Sequence, residues 1–177
     1  MIYLSEIKKE DMEHIYSWFS DTEFLKYYDY YPPLPLPKAE VDKMFKYYED
    51  SGKSKVFAVK KDSLTIGLAG FDDIIKENQA ATLFIGLGSK NERGRGYGRK
   101  AMDLLLEYGF NNLNFHRIQL NVLEFNYGAI ALYEKCGFKK EGIFREFVLR
   151  DGKRYNLLLY GLLKYEWEMN KEKIFRA

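Results

Sequence analysis

The sequence predicts a mixed α+β fold, a mostly antiparallel central sheet flanked by helices, and three observations lead there. Short alternating apolar runs meet across turn dipeptides, 55–61 with 64–71 across Asp62-Ser63 and 144–150 with 155–163 across Asp151-Gly152, and read as hairpins. Between them, apolar residues recur at three- and four-residue intervals and read as amphipathic helices. One such helix, from Tyr97, carries the chain from a strand ending at Leu87 to another beginning at Arg117. A helical crossover of that length permits one parallel pair inside an otherwise antiparallel sheet. The predicted order is β-α-α-β-β-β-α-β-α-β-β.

In chain order, residues 2–7 alternate as a first strand. Residues 11–19 put Met12, Ile15, Tyr16 and Phe19 on one helical face, with acids at the start, where the helix dipole favours them. Residues 25–37 then carry four prolines between 32 and 37, which forbid helix and favour an extended, semi-rigid loop. With Tyr27, Tyr28, Tyr30 and Tyr31 this loop reads equally as a substrate wall or as a connector tucking tyrosines onto the core. Helical spacing resumes over 38–50 through Val41, Met44, Phe45 and Tyr48. The first hairpin and a strand from 78 or 79 to 87 form a meander. A helix from Tyr97 to about Asn112, a strand 117–125 and a helix 127–136 follow, with Asn126 suited to the N-cap and Gly137 to a left-handed stop. The last hairpin closes the sheet, and the charged tail from Lys164 reads as a short helix or a fraying end. Neither linker nor repeat interrupts this order, so residues 1–177 read as a single domain.

Composition narrows the function classes. A net charge of +2 makes no case for nucleic-acid or membrane partners, because the basic excess is confined to one stretch. Aromatic residues at 17% are abundant enough to wall a site with rigid apolar surface. Cys136 is the only cysteine, which excludes an internal disulfide and a thiolate metal cluster. The N-terminus lacks the apolar core of a signal peptide and no apolar run reaches spanning length, so a cytoplasmic location is expected.

The basic stretch is 91–100, N-E-R-G-R-G-Y-G-R-K, set between a strand and a helix. Gly94, Gly96 and Gly98 let backbone N–H groups turn inward, and the following helix points its positive end at the same spot. Lys90, Arg93, Arg95, Arg99 and Lys100 surround it against one local acid, Glu92. This composition suits a pyrophosphate; the plainer alternative is a basic surface turn that starts a helix. No Walker run G-x-x-x-x-G-K-[ST] is present, and the loop departs from the G-x-G-x-x-G dinucleotide fingerprint at Arg99. It does fit Arg/Gln-x-x-Gly-x-Gly/Ala as Arg93-x-x-Gly96-x-Gly98.

That pattern resembles the acetyl-CoA signature of the GCN5-related N-acetyltransferases, the GNAT superfamily. A second stretch, from Asn126 through Tyr133 to Gly137-Phe138 and Gly142, is similar to the other half of that fold. Residues 108–115 and the closing D-G-x-x-Y-N-x-L-L-x-G-L-L of 151–163 resemble the branch holding ribosomal-protein, spermidine and some nucleotide-amino-sugar acetyltransferases. The resemblance covers nearly the whole chain. It implies a GNAT-like acyl-CoA N-acyltransferase fold and direct acetyl transfer from acetyl-CoA, the co-substrate, to a primary amine, with no metal. It further implies that the strands 79–87 and 117–125 splay apart around the pantetheine arm. Backbone at Leu87, Gly88 and Ser89 would meet that arm and supply an oxyanion donor. The loop Arg93, Gly94, Arg95, Gly96, Tyr97, Gly98, Arg99 would hold the pyrophosphate, and Asn126 would bond the pantetheine unless it only caps its helix. Glycines at 86 and 88 would admit the ligand backbone. Tyr133 would be the catalytic general acid, since a phenol of pKa about 10 can protonate a leaving thiolate of pKa about 8.5.

The base is not assigned by the resemblance: Asn121 stands where some members carry a glutamate and cannot accept a proton. Asp72, Asp73, Glu124 or a water chain are candidates, His14 and His116 read as structural, and Cys136 reads as a buried filler. A polyamine, a protein N-terminus or an amino sugar would each serve as acceptor, and a homodimer is compatible with the resemblance. A non-catalytic acyl-CoA-binding regulatory module is the alternative.

Overall fold

Seven strands form one sheet in the order β1-β2-β3-β4-β5-β7-β6 in a computed structural model that describes residues 1–176, with side-chain surroundings through Lys171. The strands are β1 (Ile2–Glu6), β2 (Lys55–Lys61), β3 (Leu64–Ile75), β4 (Ala80–Leu87), β5 (Arg117–Leu123), β6 (Lys139–Arg150) and β7 (Lys153–Leu163). Every neighbouring pair is antiparallel except β4 with β5. Six α-helices accompany them: α1 (Lys9–Phe19), α2 (Thr22–Tyr28), α3 (Lys38–Asp50), α4 (Tyr97–Glu107), α5 (Tyr127–Lys135) and α6 (Lys164–Arg176).

Strand side chains alternate between faces, so each face needs its own cover. Phe57, Val59 and Leu83 join Met102, Leu105 and Leu106 of α4 and Tyr133 of α5 in the larger core. Val56, Leu68 and Phe84 meet Ile15, Trp18, Phe24 and Val41 of α1–α3 in a second core. The order therefore matches the predicted mixed sheet with two helices added.

The first addition is α2. The prolines at 32–37 do keep the chain out of helix, but the segment before them is helical from Thr22, capped by Asp21 Oδ1 accepting from the Glu23 N–H at 2.9 Å. Seven residues give too few repeats for a periodic signal. The second is α6, the charged tail. Three boundaries also move. The helix from Tyr97 leaves the α form at Glu107 and runs on as a π-helical turn, Tyr108–Asn112. There Gly109 lies against Phe71, whose Cζ would stand 2.7 Å from an added Cβ, and Phe110 is buried. β3 continues past Phe71 to Ile75, and β6 begins at Lys139, its alternation broken by register shifts between Lys140 and Gly142 and between Phe144 and Val148. The closing turn has both Asp151 (φ 49°) and Gly152 (φ 76°) left-handed, as a two-residue hairpin requires.

Candidate active site

β4 and β5 pair only at Ala80–Arg117, Ala81–Ile118 and Thr82–Gln119. Beyond this point β4 stays on β3 as far as Leu87, and β5 stays on β7 as far as Leu123. The two strands thus separate, and the backbone edges facing each other across the gap have no ladder partner. Where backbone groups lose a strand partner they need another, and an extended ligand can supply it.

At the top of β4 the chain turns into the glycine loop. Gly94 (φ 74°) and Gly96 (φ 79°) are both left-handed, and Gly96 is the N-cap of α4 with no side chain capping it. The first N–H groups of α4 therefore point outward uncapped. Arg95 and Lys100 are exposed beside them. Gly98 rests where an added Cβ would touch Leu87 at 3.7 Å and Leu132 at 3.6 Å, so the loop, the end of β4 and α5 converge. The basic side chains divide their work. Arg93 Nε donates to the Leu87 carbonyl at 2.9 Å, fixing the strand end. Arg99 turns instead to Asp103 (2.9 Å) and the Lys135 carbonyl (3.1 Å), and Lys90 pairs with Asp21 (3.1 Å) and Glu23 (2.7 Å) at the start of α2. Of the backbone groups at 87–89, the Leu87 carbonyl is taken by Arg93 and the Ser89 N–H donates to Ile66 O at 3.2 Å, with Gly88 between them.

Gly86 and Gly88 differ from the sequence expectation. Their missing side chains make room for aromatic rings: an added Cβ would lie 2.6 Å from Tyr28 Cδ2 at Gly86 and 2.0 Å from Trp18 Cδ2 at Gly88. The close approach is real, but it is made by α1 and α2.

Tyr28 is the hinge of the second half. Its ring stacks on Phe24 at 4.8 Å and covers Gly86. Burial drives its phenol far above the usual range, followed by the charges of Tyr48, Asp29, Tyr133 and Asp72 around it. Tyr48, stacked on Phe84 at 6.1 Å, is likewise raised, by burial and then by Asp72 and Asp29. Tyr28, Tyr48, Asp29 and Asp72 thus lie within electrostatic reach of one another, and Tyr133 within reach of Tyr28. Asp29 is held through Oδ1 by the Tyr30 N–H, and Asp72 through Oδ1 by the Ser54 hydroxyl and the Asp73 N–H. In both, Oδ2 is outside those bonds. Burial raises the Asp29 carboxyl above its ordinary value, against the pull of the Tyr30 and Tyr31 N–H groups and Arg150. The sequence reading placed the tyrosines of 27–31 near a site but could not pair Asp29 with Asp72, which lie on different elements.

Tyr133, 7% exposed, lies on α5 against Phe138 at 6.1 Å between ring centres. Burial pushes its phenol well up, so it stays protonated through the neutral range. Asn126 caps α5, its Oδ1 accepting from Ala129 N–H at 3.3 Å, while its Nδ2 donates to Tyr27 O at 3.2 Å and ties α2 to α5. Glu124 is occupied: its two oxygens accept from the backbone and side-chain nitrogens of Asn156 at 2.7 and 2.9 Å. Asn121 is exposed on β5, and His116 is exposed at the strand's start. Burial raises the Cys136 thiol to about 11, which leaves it protonated and inert. No group of three or more metal-ligating side chains occurs among the described residues, and no described helix is long and apolar enough to cross a membrane.

Known proteins carry the same organisation. Residues 2–139 match the family model of the acetyltransferase (GNAT) domain. An uncharacterized N-acetyltransferase of Bacillus licheniformis is 30% identical over 167 residues, 93% of each chain. A spermidine N(1)-acetyltransferase of Vibrio cholerae is 26% identical over 161 residues, covering 88% of this chain and 91% of that one. The crystal structure of spermidine N-acetyltransferase from Vibrio cholerae in complex with CoA and spermine superposes with a TM-score of 0.87 at 23% identity, over 94% of this chain and 98% of that one, and so shares the fold.

Proposed function

We propose that this chain, which belongs to the GNAT acetyltransferase family, acetylates a polycationic amine of the spermidine type. Its reaction is acetyl transfer from acetyl-CoA to an amine. The choice of acceptor rests on one observation, that the charges of Asp29 and Asp72 both reach the half-buried tyrosines Tyr28 and Tyr48. Carboxylates hold ammonium groups by charge-assisted hydrogen bonds, and aromatic faces attract the same cations. Spaced cations along one flexible chain would engage both carboxylates at once. The spermidine acetyltransferases among the relatives support the same class.

In this reading residues 1–177 form one domain in which the donor and acceptor occupy opposite banks. The gap between β4 and β5 takes the pantetheine arm as an added strand, with the Gly88 N–H directed at the acyl oxygen. Gly94, Gly96 and the open N–H groups of Tyr97, Gly98 and Arg99 hold the pyrophosphate, with Arg93 and Arg95 adding charge. Arg99 takes part through its backbone, since its side chain is committed to Asp103 and Lys135. Asn126 orients α5 across the mouth. The donor supplies a thioester-activated acetyl group. Asp29 and Asp72 hold the ammonium groups of the acceptor, and a water chain takes the proton the reacting ammonium must lose. The freed amine forms the new C–N bond as C–S breaks, Tyr133 gives its proton to the departing sulfur, and the proton the acylated nitrogen then sheds restores the phenol. Burial raises the proton affinity of both phenol and thiolate, so the transfer stays matched.

The test is free-thiol release from acetyl-CoA with spermidine, spermine, a monoamine of equal length, ribosomal-protein N-terminal peptides and amino sugars. The expected result is a kcat/KM for spermidine at least about tenfold above the monoamine, the worth of one charge-assisted hydrogen bond. A peptide or amino sugar turned over faster than every polyamine would overturn the acceptor assignment.

A further inference from the structure

The last residue of β6, Arg150, is a buried cation with no carboxylate on it. It is 5% exposed although β6 is the edge strand and the turn follows at once. Its Nη2 donates to the carbonyls of Asp29 at 3.0 Å and Tyr31 at 2.8 Å, and its Nη1 to Leu149 O at 3.1 Å. Its Nε is buried with no partner among the described residues. Desolvating a guanidinium and leaving one N–H unpaired costs stability, and a methionine would fill that space without the cost. The arrangement therefore calls for a gain elsewhere.

What Arg150 grips is informative. After α2 ends at Tyr28, residues 29–36 have neither helix nor ladder bonds; besides Arg150, the backbone is tied by Tyr30 N–H to Asp29 Oδ1, Leu34 N–H to Pro32 O and Leu36 N–H to Phe19 O. Arg150 holds two carbonyls two residues apart, which fixes the 29–30 and 31–32 peptide planes and so brackets Tyr30 and Tyr31. Those planes set where the Asp29 carboxylate and the Tyr30 ring point. Tyr30 in turn packs on Phe147 of the same strand, ring centres 5.6 Å apart. The guanidinium stands near Asp29 without bonding its carboxylate, so the charge of Asp29 is left for another partner.

We propose that Arg150 is a positioning residue for the acceptor: it clamps the backbone of 29–31 and so sets where the Asp29 carboxylate points in the proposed acceptor cleft. The proposal rests on the reading of that cleft as the polyamine site. Arg150 touches neither acetyl-CoA nor the reacting atoms, so its loss should be read in acceptor recognition alone.

The experiment measures both KM values, kcat and the spermidine-to-monoamine preference for Arg150→Met, Arg150→Lys and Asp29→Asn. Arg150→Met is expected to raise the spermidine KM about tenfold and erase most of the preference, with the acetyl-CoA KM and kcat within about twofold of wild type. Arg150→Lys, which keeps the charge but not the two-pronged fork, is expected to recover part of the preference. If Arg150→Met does not fold, Arg150→Lys carries the test, with a spermidine KM raised about threefold and an unchanged acetyl-CoA KM. Unchanged preference in the Arg150 variants, or both KM values rising together, would overturn the positioning role. If Asp29→Asn lowers the preference while the Arg150 variants do not, this inference fails and the acceptor site stands. If Asp29→Asn leaves it intact, the acceptor site fails and this inference with it.

Discussion

Between Leu87 and Arg99 the cleft is lined by backbone: two left-handed glycines, an uncapped helix start and a strand edge without a partner. The bank we propose for the acceptor is built instead of side chains, Tyr28, Asp29, Tyr48 and Asp72, from the end of α2, from α3 and from β3. The donor bank suits a ligand whose recognised parts never change, a pyrophosphate and an amide-bearing arm, and backbone dipoles serve that purpose without side-chain entropy. An acceptor must be distinguished from other amines, and charge and shape at chosen points do that. A backbone-built site is concentrated in a few consecutive residues, whereas a side-chain-built one is scattered.

The contrast can be broken or sharpened by substitution. Tyr133→Phe lies where the banks meet and has the largest expected effect: kcat falls by about 10²- to 10⁴-fold, with both KM values nearly unchanged, in steady-state thiol release. Gly96→Val forces a β-branched residue to φ 79°, where nothing else lies within 4 Å, so the penalty is conformational alone. A left-handed residue costs about 1–2 kcal/mol, which predicts an acetyl-CoA KM raised about 5- to 30-fold and an unaltered spermidine KM.

Asp29→Asn should do the reverse, raising the spermidine KM about tenfold. Its pH dependence has a defined sign. Because the folded carboxyl is raised, activity should be lost, as pH falls, sooner than with an ordinary aspartate, and the asparagine variant should lack that limb. For stability, a raised acid favours the folded state below the unfolded value, and that advantage disappears as pH rises through the folded value. At neutral pH the native Asp29 is therefore a cost, and Asp29→Asn should unfold at a slightly higher temperature. Gly86→Ala has the smallest expected effect. Its Cβ must displace the Tyr28 ring, so the acceptor KM should rise about threefold while the acetyl-CoA KM holds, although Gly86 lies on the donor strand.

How legible each bank was follows from how it is built. Gly94 and Gly96 between a strand and a helix mark the loop proposed for the donor, because few residues other than glycine accept such backbone angles. The hairpins, the crossover and the cap at Asn126 could be read for the same local reason. The short separation of β4 from β5 could not be read from spacing and was implied only by resemblance. Asp29 and Asp72 are 43 positions apart, and Asp29 is placed by the end of α2, a helix too short for periodicity to reveal. Gly86 and Gly88 were recognised as sites of close approach, but the approaching groups, Tyr28 and Trp18, belong to helices distant in sequence. Glu124 looked available as a base because nothing local shows that Asn156 occupies both its oxygens.

The separation of the two banks is tested most directly by the double variant Gly96→Val/Asp29→Asn, assayed in both substrates at once. Independent banks predict that each KM rises by its own single-variant factor and that the loss in kcat/KM is the product of the two, within about twofold. A double variant no worse than either single one, or an acetyl-CoA KM that follows Asp29, would contradict the account.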